Sequence, residues 1–142
     1  MAINVREGYP VDPSALQALY EYAPWARGRT VDGIRKMLEH TDYHFSAWDG
    51  KKLIGFARVL TDCIYRATLW DVVVHPHYQK QGVGEELMNR ILSHPILSTV
   101  EKFWLNTRDK FGFYEKFGFV RSDQGMVREN PQKKKGTVIE TG

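Results

Sequence analysis

The stretch from Leu69 to Glu85, LWDVVVHPHYQKQGVGE, decides how the rest of the chain is read. Leu69 to Val74 is a near-continuous apolar run with an aromatic and three consecutive valines, the pattern of a strand buried on both faces. Pro76 ends it. From Val83 onward, Leu87, Met88, Ile91 and Leu92 recur at the spacing that gives a helix one apolar face, so Gln79-Lys80-Gln81-Gly82-Val83-Gly84 stands at a helix N-terminus. Backbone N–H groups there lack intrahelical acceptors, and the helix dipole adds partial positive charge. Gly82 and Gly84 carry no Cβ, so phosphate oxygens can approach closely, and Lys80 adds a mobile cation. The chemistry implied is a phosphate ester; the glycine pattern by itself also fits a plain strand-to-helix turn. Neither GxxxxGK[ST] nor GxGxxG with a later acidic residue is present.

Outward from this stretch, the chain divides into short elements. Ile3 to Val5 predicts a first strand, and Asp12-Pro13 supplies an N-cap with proline at the first helical position. Leu16, Leu19, Tyr20 and Ala23 form the buried face of that helix, and Pro24 stops it. Thr30 caps a second helix with Ile34, Met37 and Leu38 as its apolar stripe. His44 to Trp48 and Leu53 to Leu60, joined through Asp49-Gly50, predict an antiparallel hairpin. Beyond the central helix, Val100 to Thr107 predicts a strand parallel to the central one, since a full helix connects them. A short helix beginning at Asp109 or Lys110 runs through Phe113 and Phe117 to Gly118, with closing strands expected at Phe119 to Ser122 and Met126 to Asn130. The fold class is α/β, a mixed antiparallel and parallel sheet of roughly six to seven strands with about four helices on both faces.

With 142 residues, 42% hydrophobic and 13% aromatic, the chain is expected to form one domain, its core over about residues 3 to 130 and a loose tail over 131 to 142. The formal net charge of +3 is mild and owes much to Lys133-Lys134-Lys135, so nucleic acid is not required to explain it. No apolar run reaches the ~20 residues of a membrane span, and no signal-peptide pattern is present, so a soluble, cytoplasmic protein is expected. The lone Cys63 reads as inert, and His75 and His77, without a third ligand at metal-binding spacing, read as solvated. No metal is expected.

The pattern QxxGxG after a hydrophobic strand ending in V-x-P resembles the acetyl-CoA-binding motif of the GNAT superfamily of N-acetyltransferases, [RQ]xxGx[GA]. A second family signature, Y-E-K-x-G-F, matches Tyr114-Glu115-Lys116-Phe117-Gly118-Phe119. The likeness covers essentially residues 3 to 130 and is most specific from Leu69 to Gly84 and from Val100 to Phe119. It implies a GNAT fold whose central parallel strands splay apart to admit the pantetheine arm of acetyl-CoA. It also implies that Val72, Val73 and Val74 orient the thioester through their backbone, with the Val74 N–H on its carbonyl. Gln79, Lys80, Gln81, Gly82, Val83, Gly84 and Glu85 would hold the pyrophosphate. Tyr114 is the implied general acid, near the CoA sulfur, with Phe113 beside the cofactor and packed with Phe117. Many relatives have Asn seven residues before the tyrosine, but here Thr107 stands there with Asn106 adjacent, and either is the expected pantetheine contact.

Acetyl transfer needs a neutral amine, stabilisation of the carbonyl oxygen, and a proton for the departing sulfur. Asp71, the carboxylate within the central strand, is expected as general base, with a structural or anchoring carboxylate and bulk water as the alternatives. Trp25, Arg27, Arg29, Arg58 and Tyr65 are the acceptor candidates, because in this fold their segments would flank the thioester. The resemblance implies acetylation of a primary amine of a small molecule, with a homodimer among the expected partners; toxin-type acetylation of aminoacyl-tRNA and a non-catalytic acyl-CoA sensor are the alternatives. If Arg29 or Arg58 lines the pocket, an acceptor bearing a carboxylate or phosphate fits.

Overall fold

The computed structural model describes residues 3 to 132. The strands are β1 (Ile3–Glu7), β2 (Tyr43–Asp49), β3 (Lys52–Thr61), β4 (Arg66–Val74) and β5 (Lys102–Trp104). The helices are α1 (Pro13–Tyr20), α2 (Val31–Glu39), α3 (Val83–Leu92) and α4 (Phe111–Glu115). The sheet has five strands in sequence order, antiparallel from β1 to β4 and parallel between β4 and β5. Asp12 caps α1 by accepting from Ser14 N, Thr30 caps α2 by accepting from Gly33 N, and Gly118, at φ +91°, follows the turn after α4. No helix among the described residues is long and apolar enough to cross a membrane.

Each face of the sheet carries its own core. On one face Val83, Leu87, Met88 and Ile91 of α3 pack against Phe45, Ile54, Val59 and Leu69. On the other, Leu16, Leu19, Tyr20 and Ile34 of α1 and α2 pack against Leu53, Phe56 and Val73. Each fully buried large aliphatic side chain contributes about 1.5–3 kcal/mol. A detail in β3 lets α3 sit close to the sheet: a Cβ on Gly55 would lie 3.1 Å from Ala47 Cβ and 3.2 Å from Val83 Cγ1. The glycine is there for close approach, as glycines within strands often are.

The closing strands expected at Phe119 to Ser122 and Met126 to Asn130 are absent among the described residues, so the sheet is smaller than the six to seven strands expected. Two features account for this. β5 is only three residues long and offers little edge to pair with, and the chain after Gly118 is drawn toward α4 instead. Phe119 N donates to Tyr114 O, the Phe119 ring meets Tyr114 edge-on at 5.9 Å, and the Arg121 guanidinium lies 3.9 Å from the centre of the Phe111 ring. Val120 and Met126 are consequently 86% and 96% exposed. Of the tail expected over 131 to 142, all beyond residue 132 lies outside the described residues.

β4 and β5 pair only at Arg66↔Lys102, Ala67↔Phe103 and Thr68↔Trp104. β4 then runs on from Leu69 to Val74 with β3 on one side and, among the described residues, no strand partner on the other. That open edge leads from the end of β5 to the loop before α3. If α3 seats on Gly55 as described, Gly55→Val should lower stability by about 1–3 kcal/mol through overpacking, measured as a reduced urea midpoint. An unchanged midpoint would mean that the helix does not pack there.

Candidate active site

A regular strand would send Trp70 and Asp71 to opposite faces. Here two residues of β4, Asp71 and Val72, stand opposite the single Ala57 of β3, because Arg58 pairs with Trp70 and Phe56 with Val73. This is the extra residue of a β-bulge. Asp71 takes it up at φ +57°, and its side chain turns to the α1 and α2 face. There Tyr20 Oη donates at 3.1 Å, Trp25 Nε1 at 3.2 Å, Arg29 Nη1 and Nη2 at 2.8 and 3.3 Å, and Arg58 Nε at 2.7 Å. Asp71 is 1% exposed. Burial alone would raise its pKa, but the hydrogen bonds and charges of Arg29 and Arg58 outweigh burial and hold it below the usual carboxylate range. The same burial, with Asp71 beside it, pushes the Tyr20 phenol well up.

Such a carboxylate is a poor proton acceptor, because its lone pairs are engaged and protonation would leave two guanidiniums uncompensated. This geometry favours the anchoring alternative for Asp71 over the expected general base. Of the expected acceptor residues, Trp25, Arg29 and Arg58 meet at Asp71. Arg27 does not join them, since its Nε donates to Glu21 O at 2.9 Å. Nor does Tyr65, 60% exposed in the β3–β4 loop, where Asp62 Oδ1 accepts from its backbone N–H. Tyr20 belongs to the cluster, and sequence reasoning placed it only on the apolar face of α1. A phenol on a buried helix face needs a polar partner, which is the signal that could have found it.

At the far end of β4 the loop from Gln79 to Gly82 is exposed. Lys80 and Gly82 both adopt left-handed backbone, φ +65° and +83°, and Gly82 is the N-cap of α3. The first-turn amides have no intrahelical acceptors. A Cβ on Gly82 would point into open space, whereas one on Gly84 would meet Phe113 Cζ at 3.3 Å. The two glycines thus do different things: Gly82 leaves room outside the helix end, and Gly84 lets Phe113 pack beneath it. The Gln79 side chain donates to Val74 O at 3.1 Å and that of Gln81 to His77 O at 3.0 Å, bracing the loop. Val83 is buried, and Glu85 pairs with Lys116 at 3.1 Å, so neither side chain reaches outward from the cradle. An exposed, left-handed loop ahead of a helix N-terminus, with Lys80 on it, fits a pyrophosphate group.

Tyr114 belongs to the core on the α3 side of the sheet, next to the Phe113 that packs beneath Gly84. It is 6% exposed, with Phe113 at 5.0 Å and Phe119 at 5.9 Å edge-on, and burial pushes its phenol up to about 12. It also lines a cavity of ≈ 780 Å³ along the outer edge of β5, with Trp104, Asn106 and Thr107. The Thr107 hydroxyl accepts from Lys110 N at 3.1 Å, and Asn106 is exposed. Val72 and Val74 are half-buried on the α3 side, and Val73 is buried on the other. A smaller cavity of ≈ 420 Å³ opens where β4 and β5 part, between Thr68, Trp70, Trp104 and the segment carrying Asp123, Met126 and Val127. Neither cavity takes in the Gln79 to Gly82 loop, which is a surface cradle.

A family model for the acetyltransferase (GNAT) domain matches residues 40–121, more than half of the chain. The chain is 30% identical over 118 residues to an uncharacterized N-acetyltransferase, ycf52, of Porphyra purpurea, a match that takes in 78% of this chain. It spans 66% of that relative's length, slightly less than two thirds. Among solved structures, a protein assigned to the GNAT family from Xanthomonas campestris pv. campestris superposes with a TM-score of 0.78 at 26% identity, covering 92% of this chain and 96% of the other. A GNAT family acetyltransferase from Streptococcus pneumoniae gives the same TM-score, 0.78, and identity, 26%, covering 92% of this chain and 99% of its own.

An anchoring Asp71 would have a pH signature. Its folded-state pKa lies below that of the unfolded chain, so its contribution is present in full above the ordinary carboxylate pKa of about 4 and is lost as pH falls through the lower folded-state value. Wild-type protein should therefore lose stability on acidification below about pH 4 with a component that Asp71→Asn lacks. The variant itself should be less stable at pH 7 by about 3 kcal/mol, since removing one partner strands the guanidiniums. Parallel acid profiles for the two proteins would contradict this.

Proposed function

Since the chain belongs to the GNAT family of acetyltransferases, we propose that it is a cytoplasmic, acetyl-CoA-dependent N-acetyltransferase acting on the primary amine of a small molecule. The observation that carries this reading is the open edge of β4 from Leu69 to Val74, which leads to a phosphate-sized cradle at the start of α3, where Phe113, the neighbour of Tyr114, packs beneath Gly84. When bound, acetyl-CoA supplies an acetyl group activated as a thioester. The amides at the N-terminus of α3 and the Lys80 ammonium hold the pyrophosphate. Unpaired backbone groups of β4 orient the chain beyond it, and an N–H there, that of Val74 first, lowers the energy of negative charge building on the carbonyl oxygen.

Tyr114 supplies the proton. Its raised pKa keeps the phenol protonated at neutral pH, so Oη donates a hydrogen bond to charge developing on sulfur and gives up its proton as the carbon–sulfur bond breaks. The amine forms the new bond to the acetyl carbon and loses its proton to water, because Asp71 is engaged elsewhere. The buried walls around Tyr114 help to exclude water from the thioester.

Two substitutions test the two halves of this assignment. Acetyl-CoA should raise the melting temperature of the wild type by mass action, and Gly82→Asp should abolish the rise, because the new side chain fills the phosphate space, carries a like charge and disfavours the left-handed backbone. A retained shift in folded Gly82→Asp would remove the pyrophosphate assignment. Tyr114→Phe keeps the ring beside Phe113 and Phe119, so stability and acetyl-CoA affinity should stay near wild type while kcat falls about 100-fold or more. Unchanged kcat would eliminate Tyr114 as the acid.

A further inference from the structure

Beside Asp71 the bulge leaves a second arrangement that the transfer chemistry does not use. Trp70 and Arg58 are direct partners across β3 and β4, so their side chains stand next to each other on the face that also holds Tyr20, Trp25 and Arg29. The indole Nε1 of Trp70 is buried and has no hydrogen-bond partner among the described residues. Arg58 is 15% exposed at its side chain and meets Asp71 through Nε, and among the described residues no partner is recorded for its Nη1 and Nη2. That edge of a guanidinium is the fork that matches a planar carboxylate. Indole and guanidinium are both donors only, so whatever settles against them must present acceptors. The charges agree, since two guanidiniums, Arg29 and Arg58, face the single carboxylate of Asp71. Trp70 also walls the ≈ 420 Å³ cavity where β4 and β5 part, and Asp123 lines the same cavity from the C-terminal segment, suited to an ammonium.

We propose that Arg58 and Trp70 read an oxyanion on the acceptor, and that the acceptor is a primary amine carrying a carboxylate. This rests on the acetyltransferase reading and narrows its substrate class. The amine end lies toward the parting of β4 and β5, and the carboxylate lies against the Arg58 fork and the Trp70 N–H.

The test compares matched amines that differ in the anion: phenylalanine against 2-phenylethylamine, 4-aminobutyrate against butylamine, and 2-aminoethyl phosphate against ethylamine. Each is assayed by thiol release from acetyl-CoA and, separately, for its effect on the melting temperature of the protein with CoA present. Wild type should prefer the carboxylated member of at least one pair by roughly tenfold to a hundredfold in kcat/KM, the range of a hydrogen-bonded charge. Arg58→Gln should bring the ratio near one with acetyl-CoA affinity unchanged. Arg58→Lys, which keeps a cation beside Asp71 but loses the fork, should also reduce it, and this covers the case in which the glutamine variant is unstable. A preference for 2-aminoethyl phosphate alone would overturn the carboxylate assignment. Equal or better use of the neutral amines, or a preference that survives both substitutions, would overturn the anion site. If nothing is acetylated, a melting-temperature rise with the carboxylated amines that is lost in the Arg58 variants still supports the site and places the failure in the transferase reading; no rise overturns the site as well.

Discussion

Asp71 is held at φ +57° within a β-strand, a conformation that costs an L-residue roughly 1–2 kcal/mol, and the donors of Tyr20, Trp25, Arg29 and Arg58 keep it there. The bulge around it turns Trp70 and Asp71 to the same face and increases the local twist of β4. Beyond the last pairs with β5, the strand runs on toward α3 paired with β3 on one side only among the described residues. A cofactor arm can add hydrogen bonds to that edge as an extra strand would. The buried ion cluster also ties the segment from Pro24 to Thr30 onto the sheet, since Trp25 and Arg29 reach Asp71 from that segment.

The two ends of β4 answer to different physics. At the α3 end, glycine conformation and helix-terminal amides build an exposed site for an anion, and packing is confined to Val83, Gly84 and Phe113 beneath it. At the Asp71 end, charge is buried and compensated, and the balance lies toward positive. Tyr114 stands apart from both: its environment is aromatic, and desolvation alone raises its pKa. A phenol kept protonated by burial, rather than by a neighbouring anion, remains able to donate to a charge that appears only as the reaction proceeds.

Much of this was legible in the sequence where local chemistry decides the outcome. The apolar run from Leu69 to Val74, the caps Asp12 and Thr30, the Asp49-Gly50 turn and the glycines before α3 each predicted the element found. The closing strands were not legible, because Phe119 and Arg121 carry strand-like residues to aromatic contacts on α4 that sequence spacing does not reveal. Asp71 was visible as a carboxylate in an apolar strand, but its role depended on where Tyr20, Trp25, Arg29 and Arg58 come together, and these are 13 to 51 residues away in sequence. The same distance hid the pairing of Arg58 with Trp70, since a bulge shifts register without leaving a residue pattern of its own.

The most direct measurement of the central claim, that the open edge of β4 and the start of α3 form one continuous binding surface, is amide hydrogen exchange with and without acetyl-CoA. Exchange should slow at amides between Leu69 and Val74 that face the gap and from Gln81 to Glu85, and stay unchanged in β1 and β2. Protection confined to the outer edge of β5 and the segment after Gly118, with residues 69 to 85 unaffected, would contradict it.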